Sequence, residues 1–159
     1  MGQKYHRQYS LEGNCGQHAL VHALGCLGIH ISIGEAHRRT GVSRLRAMIG
    51  GSDEHAIMMG IRKSGCKPLP HLVHGEAKAR RIISRFLRQG IPLIILIDEE
   101  EHWMVLSGMK GERFTWIDSV DERLTGSSKW RTVEGWMAYG RAADRYYFIG
   151  VAQLKPSLP

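Results

Sequence analysis

Residues 91–118 read IPLIILIDEEEHWMVLSGMKGERFTWID, and this stretch decides the fold class. Pro92 to Ile97 is a continuous apolar run of the length and composition of a buried strand. His102 to Ser107 and Arg113 to Ile117 are two further strand-like segments, and Gly108 and Gly111 between them mark a hairpin. With the loop Gly108 to Gly111 midway, His102 at the start of one strand and Asp118 at the end of the next fall near one another at one end of a sheet. A last strand is expected over Tyr146 to Ala152.

Upstream of this stretch the period is helical. In CGQHALVHALGCLG, residues 15–28, the side chains Ala19, Leu20, Ala23, Leu24 and Leu27 recur at helical spacing. Asn14 is suited to the N-cap and Gly28 to the stop, so Cys15 takes the first position of a helix. Short helices are expected over 34–39 and 54–64, the second opened by Ser52 and Asp53 and closed by Gly65. A third amphipathic helix, 76–89, carries Ile82, Ile83, Phe86 and Leu87 on one stripe, with Lys78, Arg81, Arg85 and Arg88 on a solvated face. Residues 126–143 mix Gly, Ser, Trp and charge without a clear period. Helices first and antiparallel strands second give an α+β fold, N-terminal helices packed on a C-terminal antiparallel sheet, rather than a doubly wound one.

The length of 159 residues fits one domain spanning 1–159, with its core over about 8–152. Hydrophobic residues at 43 % and charged residues at 23 % exclude wholesale disorder. Three cysteines, Cys15, Cys26 and Cys66, are too few for a disulfide framework and have no CxxC pair, so a reducing compartment is expected. Cys26 reads as core and Cys66 as a partly exposed thiol at a strand start. The first ten residues have no apolar signal core, and no apolar run approaches the length of a membrane span, so a cytoplasmic location is expected. The net charge of +7 favours acidic partners, a polypeptide or a nucleic acid. The cluster Arg38, Arg39, Arg44 and Arg46 has no aromatic residues interleaved, unlike most single-strand nucleic-acid sites, and reads as solvated charge.

Cys15, His102 and Asp118 carry the candidate chemistry. A thiolate is a strong nucleophile, and a helix N-terminus favours it through the backbone N–H groups and dipole there. A neighbouring imidazole takes the proton and returns it to a leaving amine, and a carboxylate on the other ring nitrogen fixes tautomer and orientation. The oxyanion requires donors, for which the Cys15 backbone N–H and the Gln8 side chain are candidates. A lone Cys at the start of an amphipathic helix is more often a small buried hydrophobe. It is the three residue types in this order and placement that give the site its weight. Trp103 faces away from His102 into the core, whereas Trp116 shares the face of Asp118 and is placed to shield it. Trp130 and Trp136 suit either a groove or a second core.

The segments QYSLEGNCGQHAL, HWMVLSG and WIDS together resemble the papain-like cysteine peptidases, in particular the bacteriocin-processing, double-glycine leader peptidase branch as a stand-alone domain. The resemblance runs from about Gln8 to Asp118. It implies a papain-like α+β fold, a polypeptide substrate and no cofactor. It implies Cys15 as nucleophile, His102 as base and acid, Asp118 as the orienting group and Gln8 as oxyanion donor. Three positions depart from the family pattern: Gln8 lies seven residues before Cys15 rather than six, Asn14 stands for Asp, and Ser119 for Pro.

The same constellation serves amide-directed acyl transfer or glutamine deamidation as well as hydrolysis. From another class, a basic module could bind a peptide or nucleic acid on this scaffold without catalysis. His18 and His22 share a helix face at the spacing of two metal ligands, but no Glu follows in the H-E-x-x-H manner and no third ligand is evident, so a histidine pair without metal is expected.

Overall fold

The computed structural model describes residues 13–97, 102–120, 123–137 and 144–154. The apolar run becomes β2 (Leu93–Ile97), buried at all five positions. It lies inside one antiparallel sheet with β1 (Cys66–His74), β3 (His102–Lys110), β4 (Arg113–Ile117), β5 (Thr125–Lys129) and β6 (Arg145–Gln153). The strand order is β1-β6-β2-β3-β4-β5. A strand that is apolar on both faces requires cover on both, and the helices supply it.

On one face, Ile94, Leu96, Trp103, Val105 and Ile117 pack against α1 (Cys15–Cys26), α2 (Ile33–Thr40) and α4 (Glu54–Lys63) through Leu20, Leu24, Ala36, Ile57 and Ile61. On the other, Leu93, Ile95, Ile97, Met104 and Leu106 meet α5 (Glu76–Arg88) and α6 (Trp130–Trp136) through Ile83, Phe86, Leu87, Trp130 and Val133. The expected stripe on α5 is buried at Ile83, Phe86 and Leu87, and the cations of its opposite face are exposed. The α+β architecture follows as expected, with β1 and α6 interleaved where a strict order of helices then strands would not put them.

Four elements depart from the sequence reading, each for a local reason. The helix α3 (Arg44–Gly50) has no inward stripe: Ala47 alone is buried, while Leu45, Met48 and Ile49 are 68, 59 and 81 % exposed. Its Ser43 N-cap, accepting from the Arg46 N–H, was the available signal. β1 holds Pro68 and Pro70, which argue against a strand except at a sheet edge, where β1 lies. β5 and α6 account for the unassigned segment after residue 124. Cys66 does open a strand, but it is 2 % exposed rather than partly open, and burial pushes its thiol pKa up.

No helix among the described residues is long and apolar enough to cross a membrane.

Candidate active site

Cys15 takes the first position of α1 and is nearly buried, at 7 % exposure. Its approach is fixed by glycines. Gly13 has φ +55°, and a Cβ there would stand 2.2 Å from the Ala47 carbonyl oxygen, so α3 lies directly against the backbone before Cys15. Asn14 sits at the cap position but does not cap: its side chain makes no bond to the helix N–H groups, and its buried Oδ1 has no partner. The first N–H groups of α1 are therefore left to other acceptors.

His102 opens β3 and Asp118 follows the last residue of β4. Their side chains meet, His102 Nε2 to Asp118 Oδ1 at 2.7 Å, both mostly buried. The Asp118 carboxylate also accepts from the Val120 N–H at 3.0 Å. With Nε2 committed to Asp118, Nδ1 is the ring nitrogen left for another partner. Burial opposes the imidazolium. The hydrogen bonds and charges of Asp118 and Cys15 outweigh it and raise the His102 pKa to about 9.

The meeting of His102 and Asp118 depends on a device absent from the sequence reading. The hairpin turn lies at Gly111 and Glu112, and Gly108 belongs to β3. From the turn, Lys110 pairs with Arg113, Met109 with Phe114 and Gly108 with Thr115. The register then shifts, and Leu106 pairs with Trp116 and Val105 with Ile117. Ser107 is the extra residue of this β-bulge. Because successive side chains alternate faces, one extra residue reverses the facing of everything beyond it. Met109 accordingly lies on the α5 side of the sheet and Val105 on the α1 side. Without the bulge Asp118 would lie opposite Val105, and His102 and Asp118 would stand on opposite faces.

The first turn of α1 and the start of β3 are joined through the loop before α4. Gln17 is fully buried and its Nε2 donates to Ser52 Oγ at 2.8 Å and Thr40 Oγ1 at 3.3 Å. The Trp103 indole N–H donates to the Ser52 carbonyl oxygen at 2.8 Å. A polar residue at a core-facing helical position, Gln17, was the sequence signal for this contact. Trp103 does face the core, as expected.

Next to Asp118 is a cavity of about 370 Å³, lined by Trp116, Trp136, Arg123, Ser127, Ser128 and Thr132. Trp116 shares the face of Asp118, and its indole lies across Gly126, where a Cβ would stand 2.2 Å from the ring. Trp130 fills the core of the α5 side, and Trp136 packs edge-on to Trp116. Thus Trp130 belongs to the second core and Trp136 to the cavity wall.

Gln8 lies outside the described residues. His18 and His22 are both buried, with ring centroids 6.1 Å apart. Among the described residues no group of three or more potential metal ligands occurs. In the arginine cluster, Arg38 and Arg39 both bind Glu35 on α2, while Arg44 and Arg46 lie on α3.

No family model matches the chain, and no curated protein matches it. Solved structures do. A double-glycine motif protease from an AMS/PCAT transporter, in complex with its leader peptide, is similar at a TM-score of 0.66 and 17 % identity, covering 94 % of this chain and 91 % of that one. The peptidase domain of Streptococcus ComA, a bifunctional ABC transporter, is similar at a TM-score of 0.69 and 13 % identity, covering 96 and 100 %. The peptidase domain of Streptococcus mutans ComA is similar at 0.51 and 11 %, covering 94 and 98 %. The chain has the papain-like α+β fold of these double-glycine peptidase domains.

Proposed function

We propose that the chain is a cysteine peptidase that cleaves a polypeptide through an acyl-enzyme at Cys15. The observation that carries this reading is the His102 imidazole held by the Asp118 carboxylate at 2.7 Å, with Cys15 near enough to favour the imidazolium. The Cys15 thiolate attacks the scissile carbonyl carbon, and the oxygen takes up the charge. The Cys15 N–H at the start of α1 is one donor to that oxyanion, and Gln8 is the second. On collapse the C–N bond breaks, and imidazolium gives its proton to the leaving amine. Water then attacks the thioester, its proton passing to His102, and the carboxylic acid is released with the thiolate restored. Asp118 stays ionised and keeps Nε2–H pointed at itself, so that Nδ1 serves the thiol.

The leader peptide bound to the similar double-glycine protease supports a polypeptide substrate for this chain. The test is incubation with a peptide library and mass-spectrometric search for an acyl adduct on the Cys15 tryptic peptide. An adduct present in the wild type and absent in Cys15→Ala supports the reading. Cleavage that survives Cys15→Ala overturns it.

A further inference from the structure

We propose that Ser52 is a positioning residue that sets the separation between Cys15 and His102, acting with Gln17 and Trp103 as one clasp. The inference rests on the cysteine peptidase reading but concerns residues that take no part in its chemical steps.

Cys15 and His102 are carried by elements far apart in sequence, the start of α1 and the start of β3. A thiol and an imidazole must be held at hydrogen-bonding distance for the proton to move, and a misplacement of about 1 Å can cost 100-fold in rate. Ser52 touches both elements. Through Oγ it accepts from Gln17, two residues after Cys15. Through its carbonyl oxygen it accepts from the indole of Trp103, the residue after His102. The donor and acceptor roles are determined by the neighbours. The Thr40 hydroxyl donates to the Ala36 carbonyl at 2.9 Å, so it accepts from Gln17, and the Gln17 amide must turn its nitrogen toward Thr40 and Ser52.

The contact is also steric. A Cβ on Gly16 would stand 2.7 Å from the Ser52 Cβ, so the residue after the nucleophile has no side chain because Ser52 occupies that space. Ser52 itself is 7 % exposed and Gln17 is 0 % exposed. The clasp is buried, and in low-dielectric surroundings its hydrogen bonds are stronger than at the surface. It is built from one loop residue pressed between the two elements whose spacing decides the chemistry.

The test uses three variants of the full chain: Gln17→Met, Ser52→Ala and Trp103→Phe. Gln17→Met keeps volume and removes the donor to Ser52 Oγ. Trp103→Phe keeps an aromatic ring and removes the donor to the Ser52 carbonyl. Iodoacetamide alkylation of Cys15 is followed over about pH 4 to 9, with peptide mapping, beside His102→Ala as the reference without imidazole. Circular dichroism reports folding. Each folded variant is expected to lower the Cys15 rate near neutral pH by roughly 10-fold or more and to move its pH profile toward that of His102→Ala. With a cleavable peptide, kcat falls while KM stays within about 2-fold. Folded Gln17→Met and Trp103→Phe with wild-type profiles overturn the clasp. Should Ser52→Ala fail to fold, those two variants still decide the question. A wild type whose Cys15 profile is unchanged by His102→Ala defeats the peptidase reading itself, a result distinguishable from failure of the clasp alone.

Discussion

The two faces of the sheet are built on different principles. The α1 side buries Asn14, Gln17, His18, His22, His37, Thr40 and Ser52 among its apolar residues. The α5 side buries an almost wholly apolar and aromatic set, with Phe114, Trp130, Tyr146 and Phe148 in ring contact or close to it, and few polar groups such as Ser84 and Glu134. A buried polar group costs free energy unless it is hydrogen-bonded, whereas aromatic packing stabilises directly. The polar face therefore gives up stability for fixed geometry, and it is the face that carries Cys15. The aromatic face holds the sheet on which His102 and Asp118 stand. The His102–Asp118 pair sits where the two meet, at the end of β3 and β4.

Substitutions sharpen this division. Cys15→Ala on the polar face is expected to abolish peptide turnover, a fall of several orders of magnitude, while the thermal midpoint changes little. Insertion of one alanine between Met104 and Val105 should reduce turnover to the level of His102→Ala, since with Val105 still opposite Ile117 the added residue turns His102 and Asp118 to opposite faces. Wild-type turnover in a folded insertion variant would break the register argument.

Asp118→Asn should cost roughly 100- to 10,000-fold in kcat/KM, a span set by general acid–base catalysis. It should also lower the His102 pKa from about 9, because it removes a carboxylate charge that favours imidazolium. The sign is definite. In the wild type the imidazolium persists until pH rises through about 9, and in the variant it is lost at lower pH. Proton-detected NMR of the His102 ring in both proteins measures this directly.

On the aromatic face the ranking of effects reverses. Phe148→Ala, at a fully buried position, should cost about 3–5 kcal/mol of stability in denaturant unfolding. The pH profile of Cys15 alkylation in the folded fraction should stay that of the wild type. The smallest effect is expected at Glu35, a half-buried surface residue bound to Arg38 and Arg39 at 2.6 and 2.8 Å. Glu35→Gln should leave both turnover and the thermal midpoint unchanged within error, as is usual for surface ion pairs.

Much of this division was legible in the chain. The unbroken apolar run before His102 announced a strand covered on both sides, and the spacing of Ala19, Leu20, Ala23 and Leu24 placed Cys15 at a helix start. Asp118 was reached by strand order alone. What could not be read was the reason His102 and Asp118 share a face, because a one-residue bulge leaves almost no mark in hydrophobic periodicity. The Ser107-Gly108 pair hinted at it, but a glycine near a turn has a simpler reading as the turn itself. Asn14 departs from the cap expectation because cap preference is statistical, and here the side chain makes no bond to the helix N–H groups. The helix α3 was missed because amphipathic reading looks for a buried stripe, and its apolar residues face outward. The role of Ser52 depends on three segments meeting in space, which no local pattern encodes.

The prolines of β1 bear on the behaviour of the molecule in concentrated solution. An outer strand with free N–H groups is a template on which other chains can add, and it is a common origin of fibrillar self-association. Pro68 and Pro70, at alternate positions of the β1 edge, lack the N–H groups such addition would use. Replacing both with valine would leave the pairing of β1 with β6 intact and turn that border of the sheet into a surface prone to intermolecular strand exchange.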